Sequence, residues 1–465
     1  MTRAARLREL VTSAAPVGGG LVLVGLAAYA VLALAGHTLA PADYTAAANM
    51  FLITAIVGPG VFAAVEQQTN REVSGRLAAG QRIGPVIWTL ALITIGFALV
   101  ICLGVVALSP VLVRYTFAHH PALVAATVLA VLGAAAAYLL RGVFGGQQRY
   151  QWYGVSLAGE GLTRLVPCVA LVLLGWAGAD QFGFVFAIGC GLAALVTLPG
   201  LFHGSRLHWF GVLKAPTRWA ERPDSRTSVR GLVGAIALLA GASALTLMMT
   251  NLGPVVLSAR LGSAPHAAEL AASFVSLFLL ARIPLFVFGP VQAFLLPALT
   301  SAAQRRAGTE LRGRVRIALL AVLAVGLPGV LGAALLGGWA TRVLFNARVA
   351  LPVGVAALLG VGTVAMMAAQ ILQPALVALG RNRAATLAWV VASAVFLGLL
   401  FSPLPPLTAA VTAQVVAPLL VTTLMAAALR QALRRLTPTE PAAPATTAPA
   451  TRQRQLPDPY STSGL

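Results

Sequence analysis

"SFVSLFLLARIPLFVFGPVQAFLLP", residues 273–297, is apolar for long enough to cross a bilayer, yet it carries one cation. Between Glu269 and Arg305 only Arg282 is ionised. About 20 apolar residues in a helix span the hydrocarbon core. An arginine near the middle of such a helix costs roughly 3 kcal/mol on insertion scales. The stretch therefore reads as a transmembrane helix whose arginine requires either a partner or a task.

The rest of the chain has the same character. Of 465 residues, 59% are hydrophobic and 9% charged, and the mean hydropathy is +0.88. Soluble domains carry about 25% charged residues, so this composition belongs to an integral membrane protein. Apolar windows predict twelve helices: 17–36, 45–66, 84–107, 121–140, 154–175 and 182–203, then 232–257, 270–298, 317–340, 351–379, 384–402 and 407–429. The expected fold is all-α and polytopic, with two six-helix lobes. Residues 1–16 form an N-terminal segment, 17–203 one lobe, 204–231 a linker, 232–429 the second lobe and 430–465 a tail. The tail, basic and rich in Pro, Ala and Thr, is expected to be disordered. No interhelical segment is long enough for a soluble catalytic domain.

Charge sets the orientation. The net charge of +20 would suggest nucleic acid in a soluble chain, but its distribution gives another cause. With the N-terminus inside, 26 of the 32 basic residues fall in cytoplasmic segments, while Arg114, Arg260, Arg342 and Arg348 fall in outer loops. Such a bias predicts two cytoplasmic termini and removes any need for a nucleic-acid partner. The remaining two, Arg164 and Arg282, lie inside predicted spans. The basic start "MTRAARLREL" leads into a retained span and lacks a signal-peptide cleavage pattern. Cys102, Cys168 and Cys190 sit singly in apolar runs, so neither a disulfide framework, a metal site nor a cofactor is expected. His119-His120 reads as solvated outer loop.

The halves echo one another. Gly58-Pro59 in the second span and Gly289-Pro290 in the eighth are separated by 231 residues, and each precedes a basic loop. "GQQR" after the fourth span and "GRNR" after the tenth are separated by 234. An even span count per repeat makes the halves parallel, related by a pseudo-two-fold along the membrane normal.

The stretches "GPGVFAAVEQQTNREVSGRLAAG" (58–80), "YLLRGVFGGQQRYQWYG" (138–154), "ARIPLFVFGPVQAFLLPALTSAAQRRAG" (281–308) and "LVALGRNRAA" (376–385) carry a family likeness. Over most of residues 10–435 the chain resembles the polysaccharide-biosynthesis or oligosaccharide-flippase branch of the multidrug/oligosaccharidyl-lipid/polysaccharide (MOP) exporter superfamily, especially its actinobacterial members. The resemblance implies a non-enzymatic transporter in a bacterial plasma membrane. It would move a lipid-linked anionic oligosaccharide to the outer leaflet by rocking its lobes. Membrane lipids and glycan-assembly enzymes are the partners implied; the oligomeric state stays open, and a monomer suffices.

A cavity for a sugar diphosphate should be cationic and should offer amides. Arg282 and Arg164 suit phosphate oxygens, because a guanidinium binds them in a bidentate fork. Arg164 also lies four residues after Glu160, at the spacing of an intrahelical ion pair. Arg282 has no acid three or four residues away; Glu160 or Glu66 across the bundle, or carbonyls freed by Pro284 and Pro290, could serve it. Asn49, Asn251, Gln292 and Gln370 could meet sugar hydroxyls, although interhelical hydrogen bonding explains such amides equally. Gly58, Pro59, Pro284, Gly289 and Pro290 mark bent spans, and Pro352, Pro374 and Pro418 interrupt others. The interior residues Glu160, Arg164 and Arg282 give a formal charge of +1, which disfavours the alternative of a multidrug or cation antiporter on the same fold. A membrane-embedded glycan-lipid enzyme is the third alternative; it lacks the outer loop or Asp-rich motif such chemistry uses.

Overall fold

A computed structural model describes residues 3–202, 229–262, 264, 266–285, 288 and 308–436. The linker's main part, the tail from 437 onward, Gly289, Pro290 and Gln292 lie outside the described residues. The helices of the first half are α1 (Arg3–Thr38), α2 (Pro41–Val57), α3 (Pro59–Ala78), α4 (Gly84–Ala107), α5 (Ser109–Tyr115), α6 (Ala122–Gly146), α7 (Tyr150–Leu173) and α8 (Ala179–Phe202). Those of the second are α9 (Val229–Leu261), α10 (Ala267–Leu280), α11 (Gly308–Phe345), α12 (Val353–Ala378), α13 (Asn382–Leu400) and α14 (Pro406–Leu436). Among the described residues twelve stretches are long and apolar enough to cross a membrane, α2 and α3 forming one of them.

Within the spans every backbone polar group must be satisfied internally, which leaves helix as the available local structure. Helix ends depart from the sequence expectation where charge continues a helix beyond the lipid. The 38-residue α11 is about 57 Å long at 1.5 Å per residue, against roughly 30 Å of hydrocarbon. Its first turns, "GTELRGRVR", were expected as loop; they continue the helix, and Glu310 pairs with Arg314 one turn later. Pro352 does not break a span. It stands as the N-cap of α12, with φ −55° and ψ 142°. The turn after α12 was expected at 380–383, and Gly380 does reverse the chain there with φ +73°, a conformation open to glycine without strain.

Four helix pairs recur in the two halves. In the first, α1 packs on α7, α4 on α6, α6 on α8 and α7 on α8; in the second, α9 packs on α13, α11 on α12, α12 on α14 and α13 on α14. These are corresponding spans of a six-plus-six repeat. The halves meet where α2 and α3 lie against α9, α2 against α10 and α1 against α11. Lipid tails are as apolar as leucine, so burial does not drive helices together in a bilayer and close backbone approach must. At the α1–α7 contact a Cβ on Gly154 would lie 2.5 Å from the Pro16 carbonyl oxygen, so only glycine permits that spacing.

The surface is that of a lipid-facing bundle. Leu323, Leu327, Leu331 and Leu335 repeat every four residues along α11, each more than half exposed. Exposed Trp88 and Tyr150 mark the arginine-rich end of the bundle, and Tyr115 and Trp176 the arginine-poor end, as interfacial aromatics do.

Candidate functional site

Arg282 sits where its span breaks. Helix α10 stops at Leu280, the chain turns through Ala281 and Arg282, and a further helical turn covers 283–285. Pro284 has no N–H to give the Leu280 carbonyl and disfavours helical backbone before it. Arg282 N–H reaches back only to Leu279 O, at 3.1 Å. The same carbonyl accepts the hydroxyl of Tyr29 on α1 at 2.9 Å, which ties the break to the first half.

The Arg282 side chain is 8% exposed, with its Cζ 4.0 Å from the centre of the Phe278 ring. Nη2 donates to Gln414 Oε1 at 3.2 Å, and Gln414 Nε2 donates onward to Met249 O at 3.1 Å. Nη1 is buried with no hydrogen-bond partner among the described residues. Of the partners the sequence allows Arg282, neither Glu160 nor Glu66 pairs with it, and a neutral amide takes their place. Two glycines make room for that amide. A Cβ on Gly253 would lie 2.5 Å from Gln414 Nε2, and one on Gly362 would lie 2.1 Å from Gln414 O. Helices α9, α12 and α14 thus close around Gln414 because both positions lack a side chain.

A second polar cluster lies in the first half, and the sequence reading found only part of it. Glu160 and Arg164 do form the expected pair, with Arg164 Nη1 2.7 Å from Glu160 Oε1. Arg141 completes a triad, its Nη2 lying 2.6 Å from Glu160 Oε2. Counting Arg141 as cytoplasmic loop was incorrect: it lies in the last turns of α6 and is 2% exposed. Its Nε also donates to Ser156 Oγ at 3.0 Å, and its guanidinium lies over the Tyr138 ring. Arg164 spends its other donors on Phe186 O at 3.2 Å and Cys190 Sγ at 3.1 Å. Its stem needs the bare Cα of Gly189, where a Cβ would come within 2.4 Å of Arg164 Cγ. Nearby, Tyr153 donates its hydroxyl to Glu66 Oε1 at 2.5 Å. Gly142, Gly145 and Gly146 carry α6 past Arg141, packing on Thr69, Asn70 and Val73 of α3. Buried charges among the described residues therefore sum to +2, from Arg141, Arg164, Arg282 and Glu160.

The amides divide. Asn49 is fully buried, and its Nδ2 donates to Ser258 Oγ at 2.7 Å and Thr116 O at 3.1 Å, bridging α2 to α9. Asn251 donates to Leu247 O of its own helix at 2.9 Å. Gln370 is partly buried on α12. Gly58 ends α2 and Pro59 starts α3, so the second span is interrupted where the sequence suggested; the Gly58 N–H still donates to Thr54 O at 2.7 Å. Pro284 packs against Gly329 of α11, where a Cβ would lie 2.2 Å from the proline ring. His120 is not solvated loop. Its Nε2 lies 3.0 Å from Asp43 Oδ1 and its Nδ1 3.2 Å from Asp180 Oδ1, so it clamps the starts of α2 and α8.

No protein-family model matches the chain. Uncharacterized protein Rv1510 of Mycobacterium tuberculosis H37Rv is 29% identical over 437 residues, covering 90% of this chain and 94% of its own. Uncharacterized protein Mb3654 of Mycobacterium bovis is 29% identical over 422 residues, covering 88% and 89%. Among solved structures, a multidrug resistance MATE family transporter of the MOP superfamily in an inward-facing conformation superposes with TM-score 0.70 at 12% identity, over 89% of this chain and 95% of that one. A MATE family transporter of the same superfamily in an outward-facing conformation gives 0.59 at 12%, over 92% and 95%. A MOP superfamily transporter from Pyrococcus furiosus, described as having a binding pocket of reverse polarity that suggests a different function, gives 0.65 at 12%, over 92% and 96%. The chain has the two-lobe fold of MATE transporters of the MOP superfamily, with twelve candidate spans among the described residues.

Proposed function

We propose that this chain is a transporter that carries a polyprenyl-(pyro)phosphate-linked oligosaccharide from the inner to the outer leaflet of a bacterial plasma membrane, for cell-surface polysaccharide assembly. In this reading the lobes 17–203 and 232–429, joined by the 204–231 linker, rock about a central cavity, and both termini are cytoplasmic. Arg282 carries the proposal. It is buried at a broken span, shares one edge with a neutral amide, and has Nη1 without a hydrogen-bond partner among the described residues. A phosphate oxygen offers that edge a charge-assisted hydrogen bond. Discontinuous spans are where transporters of repeated architecture place their substrate sites. Gln370 and Asn251 are candidates for sugar hydroxyls in the same cavity. Arg164 and Glu160, already engaged with each other and with Arg141, would shape the field of the cavity and touch cargo only on rearrangement.

Multidrug antiport is the second reading, favoured by the description of the inward-facing structure as a multidrug resistance transporter. An interior formal charge of +2 opposes a cationic drug, and the reversed pocket polarity described for the Pyrococcus furiosus protein supports a departure from drug export within one fold.

The test is deletion of the gene in its host, with lipid-linked oligosaccharides quantified in each leaflet by an impermeant sugar-modifying reagent. The expected result is one glycan-lipid accumulating in the inner leaflet, reversed by the intact gene and not by Arg282→Gln expressed at equal level. Unchanged glycan-lipids together with new sensitivity to cationic dyes would overturn this reading in favour of antiport.

A further inference from the structure

An apolar groove of about 840 Å³, open along one side, runs between the end of α4, the short helix α5 and the start of α6. Val106, Val113, Val124 and Leu132 line its length, and Arg114 and His119 stand at its rim. Helix α5 has no buried residue, so it lies on the bundle instead of within it. The groove opens at the arginine-poor end, beside the exposed interfacial Tyr115.

The four arginines of that end fall into two kinds. Arg260 donates to three carbonyls at the end of α13, those of Leu400, Ser402 and Leu404, at 2.6, 3.0 and 2.9 Å. Arg348 faces Glu269 at 3.7 Å, and Arg342 donates to Gly338 O of its own helix at 3.0 Å. Arg114 is different. It is exposed, pairs with no carboxylate among the described residues, and has only the face of Tyr115 beside it, 5.3 Å from Cζ. Its charge therefore stands at the mouth of the apolar groove, beside an exposed tyrosine and with no carboxylate paired to it among the described residues. His119 stands at the same rim with φ +66°, a backbone conformation that few side chains adopt.

We propose that this groove holds one acyl chain of an anionic glycerophospholipid from the surrounding leaflet, with its phosphodiester on Arg114 and His119. Charge complementarity decides the occupant: hydrocarbon alone would fill the channel, and a lone guanidinium at its rim selects a net negative headgroup. The inference depends on the membrane-embedded fold and is independent of the cargo.

The test is native mass spectrometry of the full chain released from nanodiscs containing equal phosphatidylglycerol, phosphatidylethanolamine and phosphatidylcholine of matched chains. Phosphatidylglycerol should be retained about fivefold over the zwitterionic lipids, the preference that one interfacial arginine supplies. Arg114→Gln should abolish that preference without changing the melting temperature. Ala125→Trp, at an exposed position on the groove wall, should displace the lipid altogether. Equal retention of all three lipids, or a preference untouched by Arg114→Gln and Ala125→Trp, would overturn the assignment.

Discussion

Glu160 is the residue on which the first half depends electrostatically. It is 7% exposed and answers two guanidiniums at 2.6 and 2.7 Å. Removing one partner of a buried ion pair costs about 3–5 kcal/mol, because the remaining charge is left without compensation. Glu160→Gln leaves two buried cations facing one neutral amide, so the melting temperature of the purified protein should fall sharply. The triple variant Arg141→Met, Glu160→Leu, Arg164→Met removes all three charges and should recover most of that stability, as apolar replacements of buried ion clusters do. Recovered stability with transport intact would make the triad a purely structural feature; recovered stability with transport lost would place its charge in the working cavity. Arg282 is expected to behave oppositely. Its guanidinium gains one hydrogen bond to Gln414 and an aromatic face, so Arg282→Gln should fold normally and fail in transport.

At the scale of elements, the broken eighth span is the decisive feature. Pro284→Ala restores an N–H that can reach the Leu280 carbonyl, which favours a continuous helix through the turn at 281–282. That continuation would rotate Arg282 away from Gln414. The variant should match or exceed the parent in thermal stability and transport poorly; unchanged transport would show that the break does not position the arginine. The helices themselves were legible because about 20 consecutive apolar residues admit no other membrane-spanning structure. The Glu160–Arg164 pair was legible too, since residues four apart share a helix face. Arg141 was not, because its partners Ser156 and Glu160 come from the next helix and apolarity alone cannot fix where a span ends near a basic loop. Gln414 was equally hidden as the partner of Arg282: the two are 132 residues apart and meet only because Gly253 and Gly362 let three helices converge. His120 was misread for the same reason, its carboxylates lying at the starts of α2 and α8.

For the whole molecule, side-chain hydrogen bonds tie the halves together toward the arginine-poor end, while α3 packs on α9 toward the other. Tyr44 Oη lies 3.1 Å from Ser276 Oγ, and Asn49 Nδ2 donates to Ser258 Oγ at 2.7 Å. Gly36 of α1 packs so tightly on α11 that a Cβ there would come within 2.5 Å of Phe345 O. These contacts tie the two halves together at the arginine-poor end. A neutral hydrogen bond contributes about 1 kcal/mol, or roughly fivefold in an equilibrium constant. Tyr44→Phe and Asn49→Leu should therefore each raise the open population about fivefold, and more in combination. Ser273, 1% exposed on α10 behind this seam and accepting a hydrogen bond from Val349 N–H at 3.2 Å, is a suitable reporter position. In a Cys102→Ala background, which removes the one half-buried native thiol and leaves the buried Cys168 and Cys190, Ser273→Cys should react slowly with an impermeant maleimide added to intact cells. The rate should rise with Tyr44→Phe, with Asn49→Leu, and most with both. A rate indifferent to both substitutions would mean that the seam does not gate the cavity. Labelling from the cytoplasmic side alone would reverse the orientation inferred from the distribution of arginines.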